Sequence, residues 1–191
     1  MNKIILLAML SAISLFSSSQ AKSGNYDSLI TAGIKQIYNI EFTKAENTFA
    51  LVKKNYPSDA SGYFFDAMIV WWKIMLDQEN TEYDDLFVKK LNLTIDKCDE
   101  LIENNPDNAD HYFFKGGALG FRGRLYSVRE KWFQAASDGK DALPLVEKVA
   151  QLDSANKDIK LGFGIYNYYA ATIPDKFPVV KPFMIFFPKG N

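Results

Sequence analysis

The sequence predicts an all-α fold, an α-α superhelix of antiparallel helical hairpins, and three observations predict it. Apolar residues recur at helical spacing through most of the chain. One segment repeats: Pro57-Ser58-Asp59-Ala60-Ser61-Gly62-Tyr63-Phe64-Phe65-Asp66-Ala67 can be laid on Pro106-Asp107-Asn108-Ala109-Asp110-His111-Tyr112-Phe113-Phe114-Lys115-Gly116, with Pro, Ala, Tyr, Phe and Phe coinciding. Small residues, Gly33 and Ala45 first among them, fall where two helices of a hairpin have to cross closely.

Composition bounds the function classes. The chain of 191 residues suits one domain with a sizeable core, and 48% hydrophobic with 15% aromatic residues is far too apolar for disorder. Lys and Arg number 22 against 23 Asp and Glu, scattered along the chain, so there is no basic footprint for nucleic acid. Lys3 followed by the apolar run Ile4 to Phe16, then Ser19 and Ala21, reads as a bacterial signal peptide cut after Ala21. That run is short for a spanning helix, which needs roughly 20 residues. The expectation is an exported protein, periplasmic or secreted, with no transmembrane segment in the mature chain. Cys98 is the one cysteine, so no internal disulfide can form, and it reads as a buried small hydrophobe.

The elements follow in order. Leu29, Ile30, Gly33, Ile34 and Ile37 mark a first helix, Asn39 to Glu41 a polar turn, and Phe42, Ala45, Phe49 and Val52 a second helix that stops before Pro57. The next helix spans about Ala60 to Asp77, and Gln78-Glu79-Asn80 is its turn. Thr81 and Asp84 read as a capping box for a helix reaching Glu103, and the extra residues here lengthen helices or the turn. A third hairpin opens at Ala109, and its partner runs from about Ser127 to Leu152, kinked or split at Pro144. A fourth helix is expected from about Lys157 to Thr172. The Pro- and Phe-rich tail, residues 173–191, carries the apolar strip Phe183 to Phe187. It reads either as a fold-back cap or as the start of a continuation, and the second reading is favoured because a last repeat needs a polar cap.

The spacing of Leu29 and Gly33 through Phe42, Ala45 and Phe49 to Pro57 resembles one tetratricopeptide repeat. The resemblance extends over about Tyr26 to Thr172 and is most specific in this first hairpin. It implies that the first helix of each hairpin lines a concave groove holding a peptide. The groove positions carried over are Ile34, Ile37 and Tyr38, then Phe64, Met68, Trp71 and Trp72, then Phe113, Gly117 and Phe121, with Arg124 at the edge. This lining lacks the Lys/Asn set by which chaperone-binding members clamp a C-terminal carboxylate. Two readings stand: the aromatics fill the interior of the stack, which is favoured for most of them, or they form a binding surface. Trp71 and Trp72 are adjacent and cannot share one stripe, so one of them is expected to be an exposed anchor.

Chemistry is sparse. One His and one Cys cannot build a zinc site, and Asp84-Asp85 and Asp96-Asp99-Glu100-Glu103 read as solvated helix faces. The Gly116-Gly117-Ala118-Leu119-Gly120 and Gly162-Phe163-Gly164 runs lack the strand and the Lys-Ser/Thr of a phosphate loop, so they read as close helix packing. His111, at a helix start, reads as exposed or capping. Asn92-Leu93-Thr94 is a chance glycosylation motif. No catalytic constellation and no cofactor is expected. The reading is a non-catalytic scaffold for a protein or peptide partner. The alternatives are a module holding glycan or another small ligand on its aromatic side chains, or the N-terminal part of a larger enzyme.

Overall fold

The computed structural model describes residues 23–155, 158–160 and 163–164. Six helices are described: α1 (Ser23–Tyr38), α2 (Phe42–Asn55), α3 (Ser61–Leu76), α4 (Asp84–Asn104), α5 (Ala109–Val128) and α6 (Trp132–Leu152). Among the described residues there is no strand, and no helix is long and apolar enough to cross a membrane. The leader, most of the expected fourth helix and the 173–191 tail lie outside the described residues.

Each helix packs antiparallel on its successor, because the links are too short for anything else. Tyr26 meets Tyr56 and Gln36 meets Thr48 across the first hairpin. Asp84 meets Arg129 and Asp99 meets Lys115 between α4 and α5, and Arg122 meets Asp138 within the third hairpin. The first helices of the three hairpins also touch one another, running parallel. Tyr26 reaches Ser61 and Tyr38 reaches Trp72, while Phe64 and Trp71 both reach Phe121. No comparable contact joins α2, α4 and α6 to each other among the described residues. One row in contact and one row splayed bends a stack towards the contacting row, so α1, α3 and α5 line the inner side. The outward face of α1 (Asn25, Asp27, Ser28, Thr31, Lys35) is polar and exposed, which suits the first hairpin of such a stack.

The first hairpin shows why sequence spacing dictates geometry. Ala45, Phe49 and Val52 are wholly buried on one stripe of α2. Gly33 receives the tip of the Phe49 ring, and a methyl group built there would overlap it. Replacing Ala45 by Trp is expected to force α1 and α2 apart and cost about 1–3 kcal/mol through overpacking; urea unfolding followed by circular dichroism checks it, and an unchanged midpoint would count against this crossing.

The hairpin turns are built by backbone rather than by glycine. After α1, Ile40 N–H bonds to Ile37 O and Glu41 N–H to Gln36 O; after α5, Glu130 N–H bonds to Ser127 O and Lys131 N–H to Tyr126 O. Both closures require a left-handed residue, and Ile40 (φ 62°) and Glu130 (φ 58°) take that conformation. The second closure corrects an expectation. Ser127 belongs to α5, and α6 begins only at Trp132, because no glycine advertised the break.

Other boundaries are set by caps. Asp59 Oδ1 accepts Ser61 N–H at 2.8 Å and Asn108 Oδ1 accepts Asp110 N–H at 3.0 Å, so the two aligned segments start their helices in the same way. The expected Thr81 capping box does not form. Asn80 Oδ1 takes Glu82 N–H at 2.8 Å, and Asp84 is itself the first residue of α4, where its charge suits the positive helix end. The extra length of the second hairpin lies in both places left open: α4 has 21 residues against 14 in α2, and its link spans Asp77–Tyr83. Pro144 does not split α6. Pro144 and Lys140, whose carbonyl loses its N–H partner, are both exposed, so water can satisfy that carbonyl.

Candidate functional site

Most groove positions are used up in stacking the hairpins. Phe64 and Met68 are buried on the inner side of α3. The Phe64 ring sits 5.5–5.9 Å from the rings of Phe65, Phe114 and Phe121, and Gly117 leaves room for it: a Cβ there would lie 3.1 Å from the ring. Ile34 is half-buried against the same core and Ile37 is buried. Phe113 is half-buried edge-on to Phe114. Phe121, also half-buried, packs on Phe64 and Trp71. These rings join α3 to α5, as a filled interior requires.

The two tryptophans separate as adjacent helix positions must. Trp71 is 7% exposed between Phe87 of α4 and Phe121 of α5, with the Arg124 guanidinium 6.0 Å from its ring centroid. Trp72 turns the other way, 36% exposed, with Tyr38 edge-on at 5.3 Å. Tyr38 is 67% exposed. The parallel C-terminal ends of α1 and α3 therefore present an aromatic pair to solvent. Two further residues at this end were not singled out from the sequence: Ile40 and Leu76, each 59% exposed. Ile40 lies in a turn where Gly or Asn is the ordinary choice, and that mismatch was the available signal. A β-branched residue held at φ 62° and left in water is disfavoured twice over.

Polar groups elsewhere are satisfied locally, with one ring nitrogen of His111 the exception. Tyr26 donates to Ser61 Oγ at 2.9 Å and lies 3.1 Å from the buried Asp59 carboxylate, and burial pushes its phenol well above the usual range. Burial likewise pushes the Cys98 thiol up to about 12, so thiolate is scarce near neutral pH. Three of the six candidate acids are engaged by cations, Asp84 by Arg129, Asp99 by Lys115 and Glu100 by Lys97, and Asp85, Asp96 and Glu103 are exposed. Among the described residues no group of three or more His, Cys, Asp or Glu is placed to hold a metal ion. His111 corrects an expectation. It is buried rather than exposed, because the first turn of α5 packs inside the stack. Asn108 Nδ2 lies 3.1 Å from its Nε2, and Nδ1 has no partner among the described residues.

Comparison with protein-family models, with curated proteins and with solved structures returned no match.

Proposed function

We propose that this chain is a non-catalytic, tetratricopeptide-like scaffold of the bacterial cell envelope that binds a protein or peptide partner at the edge formed by Tyr38, Ile40, Trp72 and Leu76. Fold alone does not select a function, so the reading rests on this surface. The supporting observation is Ile40, an aliphatic side chain kept exposed in a strained turn beside an exposed aromatic pair. Strain and apolar exposure together are costs that persist where a contact needs them. Two aliphatic side chains beside the rings favour protein side chains over a sugar, which would stack on bare ring faces. The leader residues support export.

Ile40→Gly relieves the left-handed strain and is expected to raise stability by about 1 kcal/mol, while weakening retention of partners from an envelope extract. Glu130→Gly, at the matching turn, is the control: a similar gain in thermal midpoint with retention unchanged. The Tyr38→Ser/Trp72→Ser variant is expected to lose the partners that wild type holds. Equal retention by all four proteins would overturn the reading, and binding to a glycan array with no protein partner would replace it by the glycan alternative.

A further inference from the structure

The edge formed by Tyr38, Ile40, Trp72 and Leu76 is electrically lopsided. The link that follows Leu76 and the first turn of α4 carry Asp77, Glu79, Glu82, Asp84 and Asp85, with no Lys, Arg or His among residues 77–85. Asp77, Glu79, Glu82 and Asp85 are exposed, and no salt bridge among the described residues reaches them. The carbonyl end of α3 adds partial negative charge at the same place.

The cations of this end of the stack do not offset these acids. Lys73 pairs with Glu46, and its ammonium lies over the rings of Phe42 and Tyr83. Arg129, on which Glu79 also acts, grips Asp84 and donates to the carbonyls of Gln78 and Asn80. Lys131 lies over the Tyr126 ring and Arg124 over the Trp71 ring. On the α1 side Lys44 cancels Glu41, and Lys35 belongs to the outward face of that helix. Arg129 also fixes where the acids lie, because its hold on the two carbonyls draws the link towards the C-terminal end of α5. The edge thus runs from Ile40 and Tyr38 at α1, across Trp72 and Leu76 of α3, to an acidic margin beside α5.

The two halves of this surface do different work on a partner. Apolar contacts supply most of the affinity. Exposed ion pairs each contribute little, but their summed field steers an encounter, sets its orientation and turns away ligands of the wrong sign. Anionic ligands are disfavoured here. We propose that the partner presents a chain segment with apolar side chains at one end and Lys or Arg at the other. It lies across the edge with its apolar end on Ile40 and Tyr38 and its cations over Asp77, Glu79 and Glu82. The proposal rests on the reading of this edge as a docking surface; the acids are not a site by themselves, and they orient what the apolar edge holds.

The test is selection of random dodecapeptides displayed on phage against the purified protein, with the Tyr38→Ser/Trp72→Ser protein as counter-selection, followed by fluorescence anisotropy of the enriched peptides. These are expected to combine aliphatic or aromatic residues with Lys or Arg, and to bind severalfold more weakly at about 0.5 M than at about 0.05 M salt. The same peptides with Lys and Arg replaced by Gln are expected to bind wild type severalfold more weakly. The exposed triple variant Asp77→Asn/Glu79→Gln/Glu82→Gln is expected to hold the basic and Gln forms about equally. Enrichment of neutral or acidic peptides, or equal binding of basic and Gln forms by wild type, would overturn this inference and leave the edge standing. If no peptide survives the counter-selection, the reading of the edge falls and this inference with it.

Discussion

Phe49→Ala is expected to lower stability by about 3–5 kcal/mol, seen as a fall in urea midpoint at constant slope. Phe49 is wholly buried on α2, its ring tip sits over Gly33 of α1, and it stacks on Phe65 of α3 at 5.4 Å. One side chain thus joins three helices and links the first hairpin to the second. Truncation leaves a hole that the surroundings cannot fill, because its floor is glycine backbone and its roof is a ring held by α3. The geometry also implies coupling. Gly33→Ala alone is expected to destabilise, since its methyl would press into the ring. In a Phe49→Leu background, with the ring tip gone, the same methyl would partly fill the space, and its cost should shrink or change sign. A double-mutant cycle measures this, and purely additive effects would show that the two residues do not share a contact.

This crossing was legible in the sequence because it is local. Gly33, Ala45 and Phe49 lie on two consecutive helices joined by a short turn, so helical spacing alone fixes which side chains meet. The repeated Pro57 and Pro106 segments were legible for a related reason: a cap and a helix start are read within a few residues, and Asp59 and Asn108 perform the same bond in each copy. The pair Trp71 and Trp72 was only half legible. Their adjacency requires divergence, but which one is buried depends on what lies on either side of α3. Trp71 faces α4 and α5, whereas Trp72 faces the end of α1, where the chain turns away at Ile40.

The features that escaped are those set by backbone closure or by distant chain segments. Nothing in Ser127 to Lys131 announces a helix end, because the left-handed residue is Glu130 rather than glycine. The same substitution of Ile for glycine hid Ile40, which carries the proposed binding edge. Thr81 had the right spacing for a capping box, but Asn80 closes the turn before α4 by accepting Glu82 N–H, and the helix itself starts after Tyr83 without a side-chain cap. His111 had no sequence mark of burial, because the helix that covers its turn is chosen by stacking. The bridges between hairpins join residues far apart in the chain, such as Arg129 and Asp84, with Arg129 also donating to the Gln78 and Asn80 carbonyls. No periodicity of charge foretold them.

Arg122→Ala is expected to cost about 3–5 kcal/mol, far more than loss of a surface ion pair, because it strands a buried carboxylate. Asp138 is buried in α6, where Arg122 of α5 grips it with two bonds, Nε to Oδ2 at 2.9 Å and Nη2 to Oδ1 at 2.5 Å, while Nη1 reaches Asn92 of α4. That engagement holds the Arg122 guanidinium above its ordinary range, so the cation persists at every pH where the fold does. The helices cross closely here: a Cβ on Gly123 would lie 3.2 Å from Asp138 Cβ. Lys at 122 would be intermediate, keeping the charge but not the two-pronged geometry. Replacing both partners by leucine, Arg122→Leu/Asp138→Leu, removes the stranded charge along with its partner and is expected to recover most of the loss. Urea midpoints of the three variants give the order alanine, then lysine, then the double leucine. If Arg122→Ala costs under about 1 kcal/mol, Asp138 must reach water or a second donor, and the buried clamp joining α5 to α6 would not be what holds the third hairpin closed.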